Sequence, residues 1–244
     1  MTEKEHRPVA VVTGSTSGIG LAIAQMLIDS DHIVVLNSAR SQEKGRELER
    51  TLPGSRYIRA DVSSQEEADR VVREVLQEFG RIDVLVNNVG RTVTVPHRDL
   101  AAVDRAAFMG ILETNLMSAW LMSRAATPAL SASGGNIIIV SSLAGVRPRG
   151  SSIPYAVSKA ALNHMTLMLA KALAPEIRVN AVAPGLIDTP FTADMPDMYE
   201  EWAKRAPLKT HGSPRDVAQA CRYLLSASFV TGEVLKVDGG MHLM

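Results

Sequence analysis

Residues 8–29 read Pro8-Val9-Ala10-Val11-Val12-Thr13-Gly14-Ser15-Thr16-Ser17-Gly18-Ile19-Gly20-Leu21-Ala22-Ile23-Ala24-Gln25-Met26-Leu27-Ile28-Asp29, and the change of period inside this stretch decides the fold. Pro8 to Thr13 is a near-continuous apolar run, the pattern of a strand covered on both faces. Beyond Gly20 the apolar residues Leu21, Ile23, Ala24, Leu27 and Ile28 recur at helical spacing. Glycines at a strand-to-helix turn let the backbone fold tightly, let a pyrophosphate approach it, and aim free helix N–H groups at that pyrophosphate. An ordinary tight turn has the same composition, so the loop alone is a weak signal. The order strand, loop, helix is the one a nucleotide site requires. The spacing Gly14, Gly18, Gly20 (GxxxGxG) departs from the commoner GxGxxG.

The same rhythm recurs along the chain. Strands are expected at Pro8–Thr13, His32–Asn37, Arg56–Asp61, Ile82–Asn87, Asn136–Ser141, Arg178–Ala183 and Glu233–Asp238, with helices at about 18–29, 41–51, 64–79, 101–127, 154–174 and 213–226. Ser63 and Ser64 ahead of Glu66 and Glu67 make a capping-box pattern, and Pro154 and Pro214 each fit a first helical turn after a serine. Repeated βα units predict an α/β, Rossmann-type doubly wound parallel sheet of about seven strands with helices on both faces. No linker, repeat or low-complexity tract divides residues 1–244, so one domain is expected.

Composition narrows the function classes. The 244 residues carry 26 basic and 26 acidic side chains, so the net charge of zero offers no broad attraction to nucleic acid or an anionic membrane. Cys221 is the only cysteine, which fits a reducing compartment, and no run of 18 apolar residues exists. The expectation is a soluble cytoplasmic protein with neither nucleic-acid nor membrane partner.

The motifs together resemble the short-chain dehydrogenase/reductase family, in its classical branch, over nearly the whole chain. They are Thr13–Gly20 (TGSTSGIG), Asp61, Asn87-Asn88-Val89-Gly90, Asn115, Ser142, Tyr155, Lys159, Pro184-Gly185-Leu186-Ile187-Asp188-Thr189 and Asp238-Gly239-Gly240. Val89 departs from the family's usual alanine. The resemblance implies an NAD(P)-dependent oxidoreductase that moves hydride between a nicotinamide cofactor and a ketone or secondary alcohol.

The residues carry their own chemical argument. Tyr155 and Lys159 are four apart and share one face of the helix that Pro154 opens. A phenol is a poor base near neutrality, and a neighbouring ammonium favours its ionised form, so Lys159 would make Tyr155 a usable general acid/base. Ser142 lies just past a strand, at the carboxyl edge where open α/β sheets bind ligands, with Ser141 as its rival. The family's spacing selects Ser142 to hold the substrate oxygen, Lys159 to bind the cofactor ribose as well, and Asn115 to orient a proton-relay water.

Cofactor contacts also follow from the resemblance: Gly14, Ser17, Gly18, Ile19 and Gly20 in the loop, Asp61 for the adenine amino group with Val62 beside the ring, and the Asn87 backbone at the adenosine ribose. Gly90, Pro184 and Gly185 join them, with Ile187 and Thr189 on the nicotinamide carboxamide. Asp61 has an alternative as a strand-end turn or helix cap, and Pro184-Gly185 alone would mean only a turn. NAD-preferring enzymes commonly carry a carboxylate about 20 residues beyond the glycine loop. Here Asn37-Ser38-Ala39-Arg40 stands there, and a Ser38 donor with the Arg40 guanidinium suits a 2′-phosphate. Ser17, where phosphate-binding relatives often have a basic residue, weighs against it. The balance leans to NADP(H) over NAD(H).

Other residues read more plainly. His97, His164 and His211 are scattered, so no metal site is expected, Cys221 reads as a core residue, and Met165 and Met168 as packed. The segment at about 190–210 reads as a substrate lid with Met195, Met198, Tyr199 and Trp202 as an apolar roof, or equally as a helix packed on the body. Arg147 and Arg149 can meet an anionic substrate group or lie in solvent. An epimerase or dehydratase of the extended branch would carry GxxGxxG and a longer C-terminal domain. A nucleotide-sensing or scaffold relative, the remaining alternative, usually loses the tyrosine or lysine. The family pairs the helices at about 101–127 and 154–174 across a two-fold axis, which with Gly232–Met244 as a second interface implies a homotetramer.

Overall fold

The computed structural model describes residues 7–193 and 196–244. Seven strands form one parallel sheet: β1 (Val9–Val12), β2 (Ile33–Ser38), β3 (Ser55–Arg59), β4 (Val84–Asn87), β5 (Asn136–Val140), β6 (Arg178–Pro184) and β7 (Val234–Val237). Their spatial order is β3-β2-β1-β4-β5-β6-β7, so the order reverses between β1 and β4, at the point where such sheets open a crevice for ligands. Each strand matches an expected run to within a few residues.

Side chains alternate across the pleat, and both faces are apolar. Val9, Val11, Val35, Leu85, Ile137 and Ile139 face one side, where they meet α3 (Gln65–Phe79), α5 (Ser118–Ser133) and α6 (Ile153–Leu173). Ala10, Val12, Val34, Val86, Ile138 and Val140 face the other, against α1 (Gly18–Ile28), α2 (Gln42–Thr51) and α8 (Pro214–Ser226). Cys221 is buried in this second layer, and burial holds its thiol at about 12, which makes it inert.

Two helix expectations change. The stretch 101–127 is not one helix. Asp104 caps a separate α4 (Arg105–Leu112) by accepting from the Ala107 amide at 2.7 Å, a π-helical turn Glu113–Met117 follows, and α5 runs through Pro128 to a left-handed Gly134. The capping box at Ser63/Ser64 does not form. Ser64 is the N-cap without a side-chain bond, while Ser63 turns back to Asp61 Oδ1. Ser213 and Asp216 make the reciprocal box instead, at the start of α8. Residues Pro196–Arg205 form α7, and Met195 lies outside the described residues.

Candidate active site

At the carboxyl edge two cavities, of about 390 and 220 Å³, share a wall. The larger starts at the glycine loop. Gly14 and Gly18 are left-handed, with φ of 61° and 54°, and a Cβ on Gly20 would stand 2.4 Å from the Gly14 carbonyl oxygen. The Asn88 amide donates to that same oxygen at 2.9 Å and to the Thr13 carbonyl at 3.1 Å, tying the loop to the end of β4. Ser17 caps α1 without spending its hydroxyl on the helix. At Gly14, Gly18 and Gly20 the loop carries no side-chain bulk, which leaves its backbone N–H groups open to the approach a pyrophosphate requires.

From the loop the cavity passes Ser38, Arg40, Asp61 and Val62 toward Gly90, then reaches Ser142, Tyr155, Lys159, Pro184, Gly185, Ile187 and Thr189. The residues present fit an extended dinucleotide. Asn87 stands apart: its side chain is buried, donates to Ser123 Oγ at 3.0 Å and does not line the cavity, whereas Asn88 and Val89 do. The Ser38 hydroxyl is also placed differently from expectation. It pairs with the buried Tyr57 hydroxyl at 2.8 Å, leaving Arg40, exposed at the rim, as the cation facing this end.

Three elements, α6, the turn after β5 and the π-helical turn, place the candidate reactive groups. Ser152 caps α6 by accepting from the Tyr155 amide, which fixes the first turn and places Tyr155 at the cavity wall. One turn on, Lys159 is 4% exposed, donates to the Val140 carbonyl at 2.9 Å and stands 5.7 Å from the Tyr155 ring centroid. Ser142 follows β5, heads a short turn through Leu143–Gly145 and lines both cavities. Ser141 is buried with its hydroxyl donated to the Lys159 carbonyl, so the two serines divide structural and site roles. Asn115 lies in the π-helical turn. Its Oδ1 accepts from the Arg91 amide at 2.7 Å, and both amide hydrogens are used, on the Arg91 carbonyl and Ser158 Oγ.

Electrostatics here differ from the simple reading. Burial pushes the Tyr155 phenol up, against a smaller opposing pull from the Ser142 hydroxyl. Burial also lowers Lys159 to about 8, since no carboxylate accompanies it. Desolvation of both groups thus outweighs the expected pull of ammonium on phenol.

The smaller cavity begins at Ser142 and Tyr155 and is closed by Phe191, Met198, Trp202 and Met241. Sequence reasoning named Trp202 and Met198 but missed Met241 and Leu143, whose closeness depends on long-range contacts. Trp202 packs against the small cluster of Leu143, Ala206 and Met241, so α7 is a helix seated on the body. Arg149 lines this cavity, while Arg147 does not; it donates to the main-chain oxygens of His242 and Met244. No group of three or more metal-ligating side chains occurs among the described residues, and His97 meets only the Gly150 carbonyl.

A phenol, a hydroxyl and a buried lysine at the crevice of a doubly wound sheet, next to a dinucleotide-shaped cavity, define a nicotinamide-dependent oxidoreductase. The family described as "Enoyl-(Acyl carrier protein) reductase" matches residues 14–242. The chain is similar to "Granaticin polyketide synthase putative ketoacyl reductase 2" of Streptomyces violaceoruber, 47% identical over 100% of this chain and 99% of that one. Among solved structures it is similar to a "putative short-chain dehydrogenase/reductase" from Burkholderia xenovorans, with TM-score 0.92, 34% identity, and 98% and 99% of the two chains covered. It is also similar to the 3-ketoacyl-(acyl-carrier-protein) reductase of Brucella melitensis complexed with NADH, with TM-score 0.90, 30% identity, and 96% and 98% covered. The chain belongs to the short-chain dehydrogenase/reductase family and is an oxidoreductase of that family.

Proposed function

We propose that the protein interconverts a ketone and its secondary alcohol, with Tyr155 as general acid/base, Ser142 holding the substrate oxygen, and Lys159 both binding the cofactor ribose and returning the proton. The observation that carries this reading is the shared wall: Ser142 and Tyr155 line both the dinucleotide cavity and the apolar one beside it, together with Pro184, Gly185, Phe191 and Thr192, whose hydroxyl is bonded to Tyr199 and to the Ile187 carbonyl. When bound, the dinucleotide supplies the hydride, or accepts it in the reverse direction. In reduction, the Tyr155 phenol gives its proton to the carbonyl oxygen as the carbon gains hydride, and burial keeps that phenol protonated beforehand. Asn115 contributes by position, since it pins Arg91 to Ser158 and leaves only an oxygen lone pair or its carbonyl for a relay water.

NADP(H) is the proposed cofactor over NAD(H), supported by the exposed Arg40 and by the absence of a carboxylate from residues 37–40. The contacts assigned to Gly14, Ser17, Gly18, Ile19, Asp61, Val62, Gly90, Pro184, Gly185, Ile187 and Thr189 are supported by their place on one cavity, whereas Gly20 does not line it and packs against the Gly14 carbonyl. Asn87 is left to its backbone. A homotetramer in a reducing, cytoplasmic setting completes the reading. Met168 is 57% exposed, not packed as expected, and Leu167, Val157 and Trp120 are exposed apolar side chains of the same two helices. No helix of the described residues is long and apolar enough to cross a membrane.

Absorbance of the reduced cofactor, followed while protein is mixed with ketones and secondary alcohols, tests the reaction. Turnover of at least one ketone is expected, and a flat trace across the panel overturns the proposal. Sedimentation as a monomer at micromolar concentration overturns the tetramer.

A further inference from the structure

We propose that Arg147 is a positioning residue for the substrate cavity, and that the wall it holds admits compact, apolar ring ketones. This rests on the oxidoreductase reading above and goes beyond it by naming what the second cavity takes.

The far wall is built by residues distant in sequence. Gly185 follows β6 directly, and a Cβ there would lie 2.4 Å from Trp202 Cζ2, so the indole edge rests on the backbone at the wall that Ser142 and Tyr155 share. Phe191 stands with its ring centroid 6.2 Å from that of Tyr155. Met241 and Leu143 close the remaining side and are almost fully buried. The volume of about 220 Å³ falls below the roughly 300–1,000 Å³ of drug-sized sites, so it fits one or two rings.

Polarity decides against a sugar or other polyol. Thr192 is bonded to Tyr199, Ser151 to Thr92, and Glu201 to Arg205 at 3.0 Å. Thr192 and Ser151 spend their hydroxyls on these neighbours and the Glu201 carboxylate is exposed, so the interior of the cavity offers a substrate Ser142 and Tyr155, and a buried hydroxyl without a partner costs about 1–3 kcal/mol. Arg149 is exposed, so it reaches a substrate only at the mouth.

Met241 is held in place at both ends of its turn. Asp238, almost buried, accepts from the amides of Gly240 and His242 at 3.0 and 2.7 Å and from the His242 ring. At the other end the Arg147 guanidinium donates to the main-chain oxygens of His242 and Met244, while its own amide bonds Leu143 O, one residue past Ser142. One residue thereby ties the active-site turn, through its amide, to the turn that carries the far wall, through its guanidinium, without itself lining the cavity.

The test compares 2-tetralone, whose second ring reaches the far wall, with cyclohexanone, which does not. Wild type should turn over 2-tetralone with kcat/KM at least about tenfold above cyclohexanone, each buried methylene being worth about 0.8 kcal/mol. Arg147→Met should raise KM for 2-tetralone by about tenfold, with kcat for it and both constants for cyclohexanone within about threefold, and Arg147→Lys should recover most of that loss. Equal loss on both ketones, or none on 2-tetralone, overturns the positioning role. If Arg147→Met does not fold, the wild-type ratio still decides the substrate class, and a hexose outperforming 2-tetralone overturns it. Turnover of cyclohexanone with none of 2-tetralone overturns the far-wall assignment while the oxidoreductase reading stands. Cofactor binding with no turnover of any ketone or alcohol overturns both.

Discussion

Lys159 lies one helical turn beyond Tyr155, and its ammonium nitrogen donates to the Val140 carbonyl 2.9 Å away rather than to any carboxylate. A buried lysine satisfied only by a neutral acceptor is a poised proton carrier, because losing its charge relieves desolvation. Its lowered value of about 8 puts that loss within reach of ordinary working pH. Tyr155 is shifted the other way, so burial favours its protonated phenol.

Tyr155→Phe retains the ring that packs near Phe191 and removes the transferable proton. Turnover should fall by about 10² to 10⁴, with cofactor affinity unchanged in a fluorescence titration. Near-normal turnover would contradict the role assigned to the phenol.

Lys159→Met tests the buried amine through stability as well as binding. The unfolded lysine keeps its proton to about 10.5, whereas the folded one loses it near 8, so the unfolded state binds more protons between those values. Stability attributable to this residue therefore rises with pH through that window, by up to about 3 kcal/mol for a shift of this size. Cys221 and Tyr155, both raised in the fold, work in the opposite direction at the upper end. The informative quantity is thus the difference between wild type and variant in urea melts from pH 8 upward. That difference should shift in favour of the wild type as pH rises, and the variant should also bind the dinucleotide more weakly; a pH-independent difference would count against the buried, depressed lysine.

Gly20→Ala forces a methyl group against the Gly14 carbonyl oxygen and, 2.5 Å away, the Asn88 amide nitrogen. Neither is a flexible side-chain end with free space, so the loop must shift. Overpacking of this kind costs about 1–3 kcal/mol, and cofactor affinity should fall with it. An unchanged urea midpoint together with unchanged cofactor affinity would show that the loop is looser than the contacts indicate.

Arg40→Ala should lower kcat/KM for NADPH by tenfold or more and leave that for NADH within about threefold, as expected for loss of a charge-assisted phosphate contact. Preference for NADH in wild type, or an NADPH preference that survives the substitution, would remove Arg40 from the 2′-phosphate site. Because the Ser38 hydroxyl is paired with Tyr57, Ser38→Ala should have the smaller effect on cofactor choice.

The sheet was legible because its strands are short, mostly apolar runs, and all but the last are followed by a helical period; Pro154 and Pro214 marked two helix starts. Tyr155 and Lys159 were legible because four residues along a helix is a local relation. The break at 104–117 was not, since a capping aspartate and a π-helical turn interrupt an apolar pattern without altering its composition. Choosing between Ser141 and Ser142 on physical grounds also required the fold, which sends one hydroxyl to the Lys159 carbonyl and the other into the site.

By itself the sequence determined the class of sheet, the nucleotide loop at its first turn, and the order of the reactive residues, all of which rest on periods and spacings of a few positions. Only the tertiary structure decided what surrounds those residues. Burial raises Tyr155 and lowers Lys159, Tyr57 occupies the Ser38 hydroxyl, Arg147 binds a turn 95 residues away, and Met241 of that turn packs with Trp202. Those relations depend on which distant segments are brought together and which are shut off from water, and neither is written in local spacing.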